Sequence, residues 1–279
     1  MSLLEWMLGM RPRPPHGARV RRVMAGRLVV ITGASRGIGA ECARRFAAAG
    51  ARVVLIARST QALEVIAQQI RDRGGEAHAI RLDLRDRDAV EHAARALIAE
   101  HGPPAVVVSN AGHSIHRTLA QYADRGHDAE RLFGVNALGP VALMRVLIPA
   151  MQRGGGGSVV AVSSVSAVVP AAGWSVYGAS KAAADAWFAA VAQEIAPEVT
   201  VSLVRLPLVR TEMIAPTPAY ARSAAMRPVD AAGLIARAIV TRRRTYGPWW
   251  LSPVAALLAL WPTALDRLLA SHESRTVRR

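Results

Sequence analysis

The sequence predicts one α/β domain with a doubly wound parallel sheet, that is, a sheet covered by helices on both faces. Short apolar runs, beginning with Leu28-Val29-Val30-Ile31, alternate along the chain with longer helical segments. A glycine-rich turn follows the first apolar run. Hydrophobic residues make up 52% of the 279 residues, which is enough to bury a substantial core. No linker long enough to separate a second domain is present.

The elements follow one another from residue 27 onward. Apolar runs predict strands over residues 28–31, 52–57, 77–82, 105–109, 158–163 and 199–206. Between them, helices are predicted over residues 37–49, 61–73 and 86–100, within 128–152, and over 176–195. The glycines at 154–157 end the long fourth helix. We therefore expect a folded domain over residues 26–247, preceded by an arm over 1–25 and followed by an apolar extension over 248–279.

The first 25 residues are apolar and then basic. The apolar stretch from Ser2 to Met10 lacks the basic leader of a signal peptide, and five arginines and three prolines follow it. This pattern predicts an appended arm rather than part of the fold. The formal net charge of +15 is compatible with nucleic acid, an anionic membrane surface or an acidic ligand as partner. A compositional preference for arginine is the alternative explanation.

Among the 35 Lys and Arg residues there is a single lysine, Lys181, four residues after Tyr177. On a helix the two side chains share one face, about 5–6 Å apart at Cβ. An ammonium there would lower the pKa of the phenol from about 10, so the tyrosine could serve as a general acid or base. A guanidinium is broader and stays charged, so arginine would not substitute. The alternative is a solvated lysine near an ordinary tyrosine.

The turn from Thr32 to Gly39 places glycines after a strand and at the start of a helix. Such glycines let the backbone approach a pyrophosphate, which then lies at the positive end of the helix. The turn therefore predicts dinucleotide binding and a Rossmann-type sheet.

With these motifs the chain resembles the short-chain dehydrogenases/reductases of the classical type over about residues 26–247, which would form the catalytic domain. The matching residues, in chain order, are Thr32, Gly33, Gly37, Gly39, Asp83, Asn110, Ala111, Gly112, Asn136, Ser164, Tyr177 and Lys181. The spacing of 13 residues from Ser164 to Tyr177 is usual in that family.

The resemblance implies a role for each of four catalytic residues. Tyr177 would exchange a proton with the substrate oxygen, and Ser164 would hydrogen-bond and orient the carbonyl. Lys181 would lower the pKa of Tyr177 and hold the nicotinamide ribose. Asn136 would hold a water in a proton relay to Lys181. Placed donors of this kind stabilise the charge that hydride transfer builds on oxygen.

The expected cofactor is NADP(H). NAD-selective enzymes place an acid at the end of the second strand, but here Ala57 is followed by Arg58, and Arg36 lies in the glycine turn. Two arginines and no acid favour a 2′-phosphate, with surface charge as the alternative. The cofactor-binding set is Thr32, Gly33, Ser35, Arg36, Gly37, Ile38, Gly39, Arg58, Asp83, Asn110, Ala111, Gly112, Tyr177, Lys181 and Thr211.

The chain departs from the family pattern at two places. Ser109 stands where the family often has asparagine, and Leu208 follows Pro207 where it usually has glycine. Leu208 alters the turn before Thr211, which would bind the nicotinamide carboxamide. His113 and His116 have a spacing seen in metal sites, but no other ligands converge with them, so we expect no metal.

Substrate choice is expected to lie in residues 208–226 and in the C-terminal extension. The loop is apolar, and the extension contains Trp249-Trp250, an apolar run over 254–260 and Trp261. Pro253 and Pro262 interrupt it, and it is too short to span a membrane. Arginines precede it at 242–244 and end the chain at 275, 278 and 279. A peripheral membrane contact, a substrate lid and a subunit contact remain open.

We therefore expect an NADPH-dependent enzyme that reduces the carbonyl of a lipophilic ketone or aldehyde, such as a fatty-acyl or ring ketone. The alternative is a non-catalytic NADP(H)-binding regulatory or scaffold protein, which need not keep Ser, Tyr and Lys together. A nucleic-acid partner is not expected, because no recognition motif accompanies the charge. We also expect a homo-oligomer. Cys42 is the only cysteine, which is compatible with a reducing, cytoplasmic location.

Overall fold

A seven-stranded parallel sheet forms the centre of the molecule in the computed structural model, which describes residues 15–214, 220 and 223–261. The strands are β1 (Leu28–Thr32), β2 (Arg52–Ala57), β3 (Glu76–Arg81), β4 (Val106–Ser109), β5 (Gly157–Ser164), β6 (Val199–Leu206) and β7 (Thr245–Tyr246). Their order is β3-β2-β1-β4-β5-β6-β7, and every neighbouring pair is parallel. The prediction of a single-domain, Rossmann-type α/β fold is confirmed.

Helices cover both faces of this sheet. They are α1 (Gly17–Met24), α2 (Gly37–Ala48), α3 (Thr60–Arg71), α4 (Arg87–His101), α5 (Leu119–Tyr122), α6 (Gly126–Phe133), α7 (Gly139–Arg153), α8 (Ser175–Glu194), α9 (Pro228–Thr241) and α10 (Leu251–Leu260). A π-helical turn, Gly134–Leu138, joins α6 to α7. Side-chain caps fix two of the starts: Ser59 accepts from Ala62 N (3.3 Å) and Asp86 from Ala89 N (3.0 Å).

Two hydrophobic clusters lie on opposite faces of the sheet. Successive residues of β1 alternate between them, because side chains of a strand point to opposite faces: Val29 and Ile31 join one cluster, Leu28 and Val30 the other. One cluster includes Phe46 of α2, and the other is filled largely by α4, α7 and α8. Burial on both faces explains why the strands are continuous apolar runs.

Within the described residues, one helical stretch, Gly126–Arg153, has the length and apolar composition to cross a membrane. In this fold, however, its α7 part belongs to the core. Leu143, Met144, Leu147 and Met151 are fully buried in the cluster shared with α4 and α8. The stretch is therefore accounted for by packing within the domain.

The N-terminal segment differs from the expected arm. Residues 17–24 form α1, and Val20 and Met24 are buried in the same cluster as Phe46. The exposed faces of α1 carry Arg19, Arg21 and Arg22, so the basic pattern of the sequence reflects the solvated side of a packed helix. Residues 1–14 lie outside the described part of the chain.

The packing of α1 can be tested by Met24→Ala. Met24 is fully buried, so its truncation is expected to lower the free energy of unfolding by about 2–5 kcal/mol. Chemical denaturation measures this change. Arg21→Ala, on the exposed face, is the matched control and is expected to stay within about 0.5 kcal/mol. Equal free energies of unfolding for the two variants would mean that α1 does not pack on the domain and is an appended arm.

Candidate active site

A cavity of ≈ 640 Å³ opens at the carboxyl edge of the sheet. It lies where the strand order reverses between β1 and β4, the usual position of ligand sites in such sheets. Of the predicted site residues, it is lined by Gly33, Ser35, Arg36, Gly37, Ile38, Arg58, Asp83, Asn110, Ala111, Gly112, Ser164, Tyr177, Lys181 and Thr211. The remaining three, Thr32, Gly39 and Asn136, stand behind its wall.

The glycine turn brings backbone to the wall of this cavity. Gly33 has φ +67°, a left-handed conformation that favours glycine, and a Cβ there would lie 2.9 Å from Ala111 Cα. A Cβ at Gly39 would overlap the carbonyl oxygen of Gly33, so α2 can approach β1 only with glycine at this position. The amino end of α2 thus faces the cavity and suits an anionic group.

Thr32 and Asn110 fasten the turn to the segment after β4. Thr32 Oγ1 accepts hydrogen bonds from Asn110 N (3.0 Å) and Ala111 N (2.9 Å). In return, Asn110 Nδ2 donates to Thr32 O (2.9 Å). These bonds give both residues a structural role in shaping the cavity wall.

Asn136 lies in the π-helical turn, a kind of irregularity often found at functional sites. Its Oδ1 accepts from His113 N (2.8 Å), and its Nδ2 donates to His113 O and to Ser180 Oγ (2.9 Å each). Ser180 Oγ donates in turn to Tyr177 O (2.7 Å). The buried amide therefore fixes the loop after β4 and α8 relative to one another.

Ser164, Tyr177 and Lys181 meet where β5 ends against α8. A hydrogen bond joins the side chains of Ser164 and Tyr177. Lys181 Nζ donates to the carbonyl oxygen of Val162 in β5 (3.0 Å). A Cβ at Gly112 would lie 3.3 Å from Lys181 Nζ, so the glycine leaves space around the ammonium.

Burial dominates the electrostatics of this group. Burial lowers the pKa of Lys181 to about 8, and the charge of Asp185 opposes that shift. Burial raises the pKa of Tyr177, the hydrogen bond with Ser164 lowers it, and Tyr220 and Asp185 raise it further. The expectation that Lys181 brings the pKa of the phenol below its ordinary value is therefore wrong for this structure. A neutral phenol is nevertheless the form that a proton donor needs.

Arginines line another part of the cavity. Arg58 follows β2, and Arg36 donates to Glu212 Oε2 (2.8 Å) in an exposed pair. Asp83 is held by Arg85, whose Nη2 lies 2.6 Å from Asp83 Oδ2. These hydrogen bonds hold the pKa of Asp83 below its ordinary value. Sequence reasoning missed Arg85 as a residue of this site, because no motif distinguishes it from the many other arginines of the chain.

Aromatic rings border the cavity beside Tyr177. The ring of Trp174 packs edge-on against Tyr177 (centroids 5.6 Å apart), stacks on Tyr220 (5.9 Å) and contacts His116 (5.1 Å). Leu208 and other apolar loop residues also line the cavity. Trp174 was missed by sequence reasoning; it immediately precedes α8 as the N-cap residue. The rings form an apolar wall beside the phenol.

His113 and His116, whose spacing resembles that of metal ligands, lie in different surroundings. His116 packs on Trp174, whereas the backbone of His113 is held by Asn136. Burial lowers the pKa of the His113 side chain, and the charges of Arg131 and Arg58 lower it further. His113 is therefore a neutral group at the cavity wall near neutral pH.

Known proteins are similar to this chain in both sequence and structure. The family model described as short chain dehydrogenase matches residues 27–220. A fatty acyl-CoA reductase of Acinetobacter baylyi is 38% identical over 226 residues, covering 81% of this chain and 77% of that protein. An uncharacterized oxidoreductase of Mycobacterium tuberculosis is 38% identical over 257 residues, covering 91% and 75%.

Solved structures agree with these sequence matches. A short-chain dehydrogenase from Streptomyces avermitilis has a TM-score of 0.73 at 30% identity and covers 87% of this chain and 98% of its own. A metagenomic short-chain oxidoreductase in complex with NADP has a TM-score of 0.68 at 32% identity, covering 78% and 92%. Sequence, sheet order and the meeting of serine, tyrosine and lysine lead to one conclusion: this chain belongs to the short-chain dehydrogenase/reductase family of oxidoreductases.

Proposed function

We propose that the protein uses NADPH to reduce the carbonyl group of a lipophilic substrate, with a fatty-acyl chain as the preferred apolar part. The observation that carries this proposal is the apolar wall of Trp174, Tyr220 and Leu208 directly beside the phenol of Tyr177. Relatives named fatty acyl-CoA reductases support it, including one of Mycobacterium tuberculosis that is 34% identical over 248 residues.

The cofactor would supply the hydride, and the protein would supply position and proton. The glycine turn and the amino end of α2 suit its pyrophosphate, and the Lys181 ammonium would hold its ribose. Negative charge would build on the substrate oxygen, to which Ser164 and Tyr177 would both donate hydrogen bonds. Tyr177, kept neutral by burial, would then deliver its proton to that oxygen. With a fatty acyl-CoA this would give a hemithioacetal, whose C–S bond would break as its hydroxyl proton passes to sulfur. The products would be the fatty aldehyde, free CoA and NADP⁺.

NADP(H) is favoured over NAD(H) by the charges at the end of β2. Ala57 stands where an acid would bind the ribose hydroxyls of NAD, and Arg58 follows it at the cavity. Arg36 lies nearby but is already engaged by Glu212. Arg58 is therefore the principal candidate for the 2′-phosphate, with charge-assisted hydrogen bonds.

A panel of saturated fatty acyl-CoA esters, fatty aldehydes and ring ketones tests the function through NADPH oxidation. We expect turnover with long-chain substrates, falling as the chain shortens and less apolar wall is covered. Tyr177→Phe is expected to lower kcat at least about 10²-fold while the dissociation constant of NADPH changes little, because only the proton donor is removed. Trp249→Phe, in the C-terminal extension outside the cavity lining, is the matched aromatic control.

Two outcomes would contradict the catalytic assignment. Normal turnover in Tyr177→Phe would show that another group donates the proton. NADPH binding with no turnover of any carbonyl in the panel would instead favour the non-catalytic regulatory or scaffold alternative.

Cofactor choice is tested by Arg58→Asp. Repulsion of the 2′-phosphate is expected to weaken NADPH binding by about 10- to 100-fold, in line with the loss of a charge-assisted hydrogen bond, and to leave NADH binding nearly unchanged. Fluorescence titration of both cofactors measures this. Arg95→Asp, exposed on α4, controls for the general loss of positive charge. An equal effect of both substitutions on NADPH would mean that Arg58 does not contact the phosphate.

The C-terminal helix α10 would make a peripheral contact with an anionic membrane surface. Residues 245–261 carry no charge, and Leu257, Leu260 and Trp261 are exposed on and after α10. The exposed arginines at 242–244 precede them and complement anionic headgroups. Ten helical residues span only about 15 Å, so α10 would lie in the interface rather than cross a bilayer of about 30 Å. Because β7 is parallel to β6, the chain leaves β7 at the edge where the cavity opens.

Co-sedimentation with vesicles tests this contact. We expect the protein to bind vesicles of equal phosphatidylcholine and phosphatidylglycerol at low salt. Binding should weaken at high salt, because screening shortens the reach of charge interactions to about 8 Å or less. The double variant Leu257→Asp/Leu260→Asp should bind still more weakly. Leu119→Asp, an exposed leucine on α5, is the matched control. Intact protein that stays in the supernatant at low salt would refute the membrane contact. Dissociation of an oligomer by the α10 variant would assign α10 to a subunit contact.

A further inference from the structure

Helix α8 carries a buried carboxylate one turn beyond the lysine. Asp185 is 7% exposed, and buried carboxylates are rare unless they are paired. Its Oδ2 accepts a hydrogen bond from Arg205 Nε of β6 at 2.7 Å. The arginine is itself largely covered, with 21% of its side chain exposed. The pair thus joins α8 to β6 behind the active-site cavity.

A second, much smaller cavity of ≈ 10 Å³ lies between this carboxylate and the lysine. Lys181 borders both cavities, so Asp185 approaches it from the side away from the main one. The Ser163 hydroxyl also borders the small cavity, is buried and has no hydrogen-bond partner among the described residues. Phe188 closes the space from α8. Charges in such a confined, largely apolar region interact more strongly than charges in water.

Few other ionisable groups face Lys181 in the described part of the chain. Tyr177 lies on the same helix, and β5 and the π-helical turn contribute only Val162, Ser163 and Asn136 beside it. The loop after β4 contributes His113, which is neutral near pH 7 because burial lowers its pKa. Helix α6 carries the buried carboxylate of Asp128, which forms ion pairs with Arg117 and Arg125. From α7, the residue that lines the small cavity is Pro140, which is not ionisable.

We propose that Asp185 and Arg205 form a positioning pair that sets the charge of Lys181 from behind the active site. Asp185 favours the ammonium, and Arg205 limits that effect by neutralising Asp185. This rests on the proposed function in one respect, namely that the Lys181 ammonium holds the ribose of the cofactor. The pair touches neither substrate nor cofactor and acts through the lysine alone.

The two partners must therefore act in opposite directions. Asp185→Asn removes the negative charge and leaves Arg205 to repel the ammonium, so the pKa of Lys181 should fall below its value of about 8. Arg205→Gln leaves Asp185 unneutralised, so the pKa of Lys181 should rise. A shift on the order of one pH unit each way is expected for a charge one helical turn away. A purely structural pair would produce no such opposition.

Because Lys181 is the only lysine, the titration can be observed directly. Protein labelled with ¹³C at the lysine Cε gives one lysine signal, whose chemical shift follows the charge of Nζ with pH. We expect a lower midpoint in Asp185→Asn, a higher one in Arg205→Gln, and a midpoint near that of the unaltered protein in the double variant. Arg237→Gln, exposed on α9, is the control and should leave the midpoint unchanged.

Unchanged midpoints in both single variants, or shifts in the same direction, would overturn the proposal. Asp185→Asn leaves a largely buried arginine unpaired and can destabilise the fold. If it does not fold, the upward shift in Arg205→Gln and its reversal in the double variant decide the question. The titration uses neither substrate nor cofactor. If the protein is not a carbonyl reductase, the turnover assays will show no activity, but the titration midpoints of Lys181 will still test the role of Asp185 and Arg205.

Discussion

The candidate active site depends on one buried cation, the ammonium of Lys181, and on its hydrogen bond to the carbonyl oxygen of Val162. This bond ties α8 to the end of β5 and thereby brings Tyr177 to Ser164. Burying a charge is costly, and here the cost appears as a pKa lowered to about 8. The lysine stays largely protonated at neutral pH, while burial keeps the phenol neutral. Both protonation states suit the reduction of a carbonyl.

The rest of the fold supplies what this arrangement requires. Parallel strands end at one edge, so residues far apart in sequence meet there. Hydrogen bonds of Thr32, Asn110 and Asn136 lock the loops of that edge together. Both arginines and aromatic rings line the cavity at this edge, which suits a substrate pair consisting of a phosphorylated cofactor and an apolar carbonyl compound. The positive charge therefore lies partly at the cavity and partly, as on α1, on the solvated surface.

The sheet was predictable because its strands are buried on both faces and appear as uninterrupted apolar runs. β7 was missed because two residues give no pattern, and α1 because only Val20 and Met24 mark its buried face. The glycine turn and the Tyr177/Lys181 spacing could be recognised because they are local. Asp185 was missed because its role depends on packing between α8 and β6, and Trp174 because its stacking on Tyr220 joins distant segments. Arg85 was missed because nothing distinguishes it from the many other arginines of the sequence. The pKa of Tyr177 was predicted in the wrong direction because spacing reveals the neighbouring charge but not the burial.

The most direct test of this account is a crystal structure of the protein with bound NADP⁺. The account predicts that the nicotinamide ring lies beside the Tyr177 hydroxyl, that a ribose hydroxyl accepts a hydrogen bond from Lys181 Nζ, and that the 2′-phosphate contacts Arg58. Cofactor bound with its ribose away from Lys181, or with its nicotinamide outside the cavity, would contradict the account.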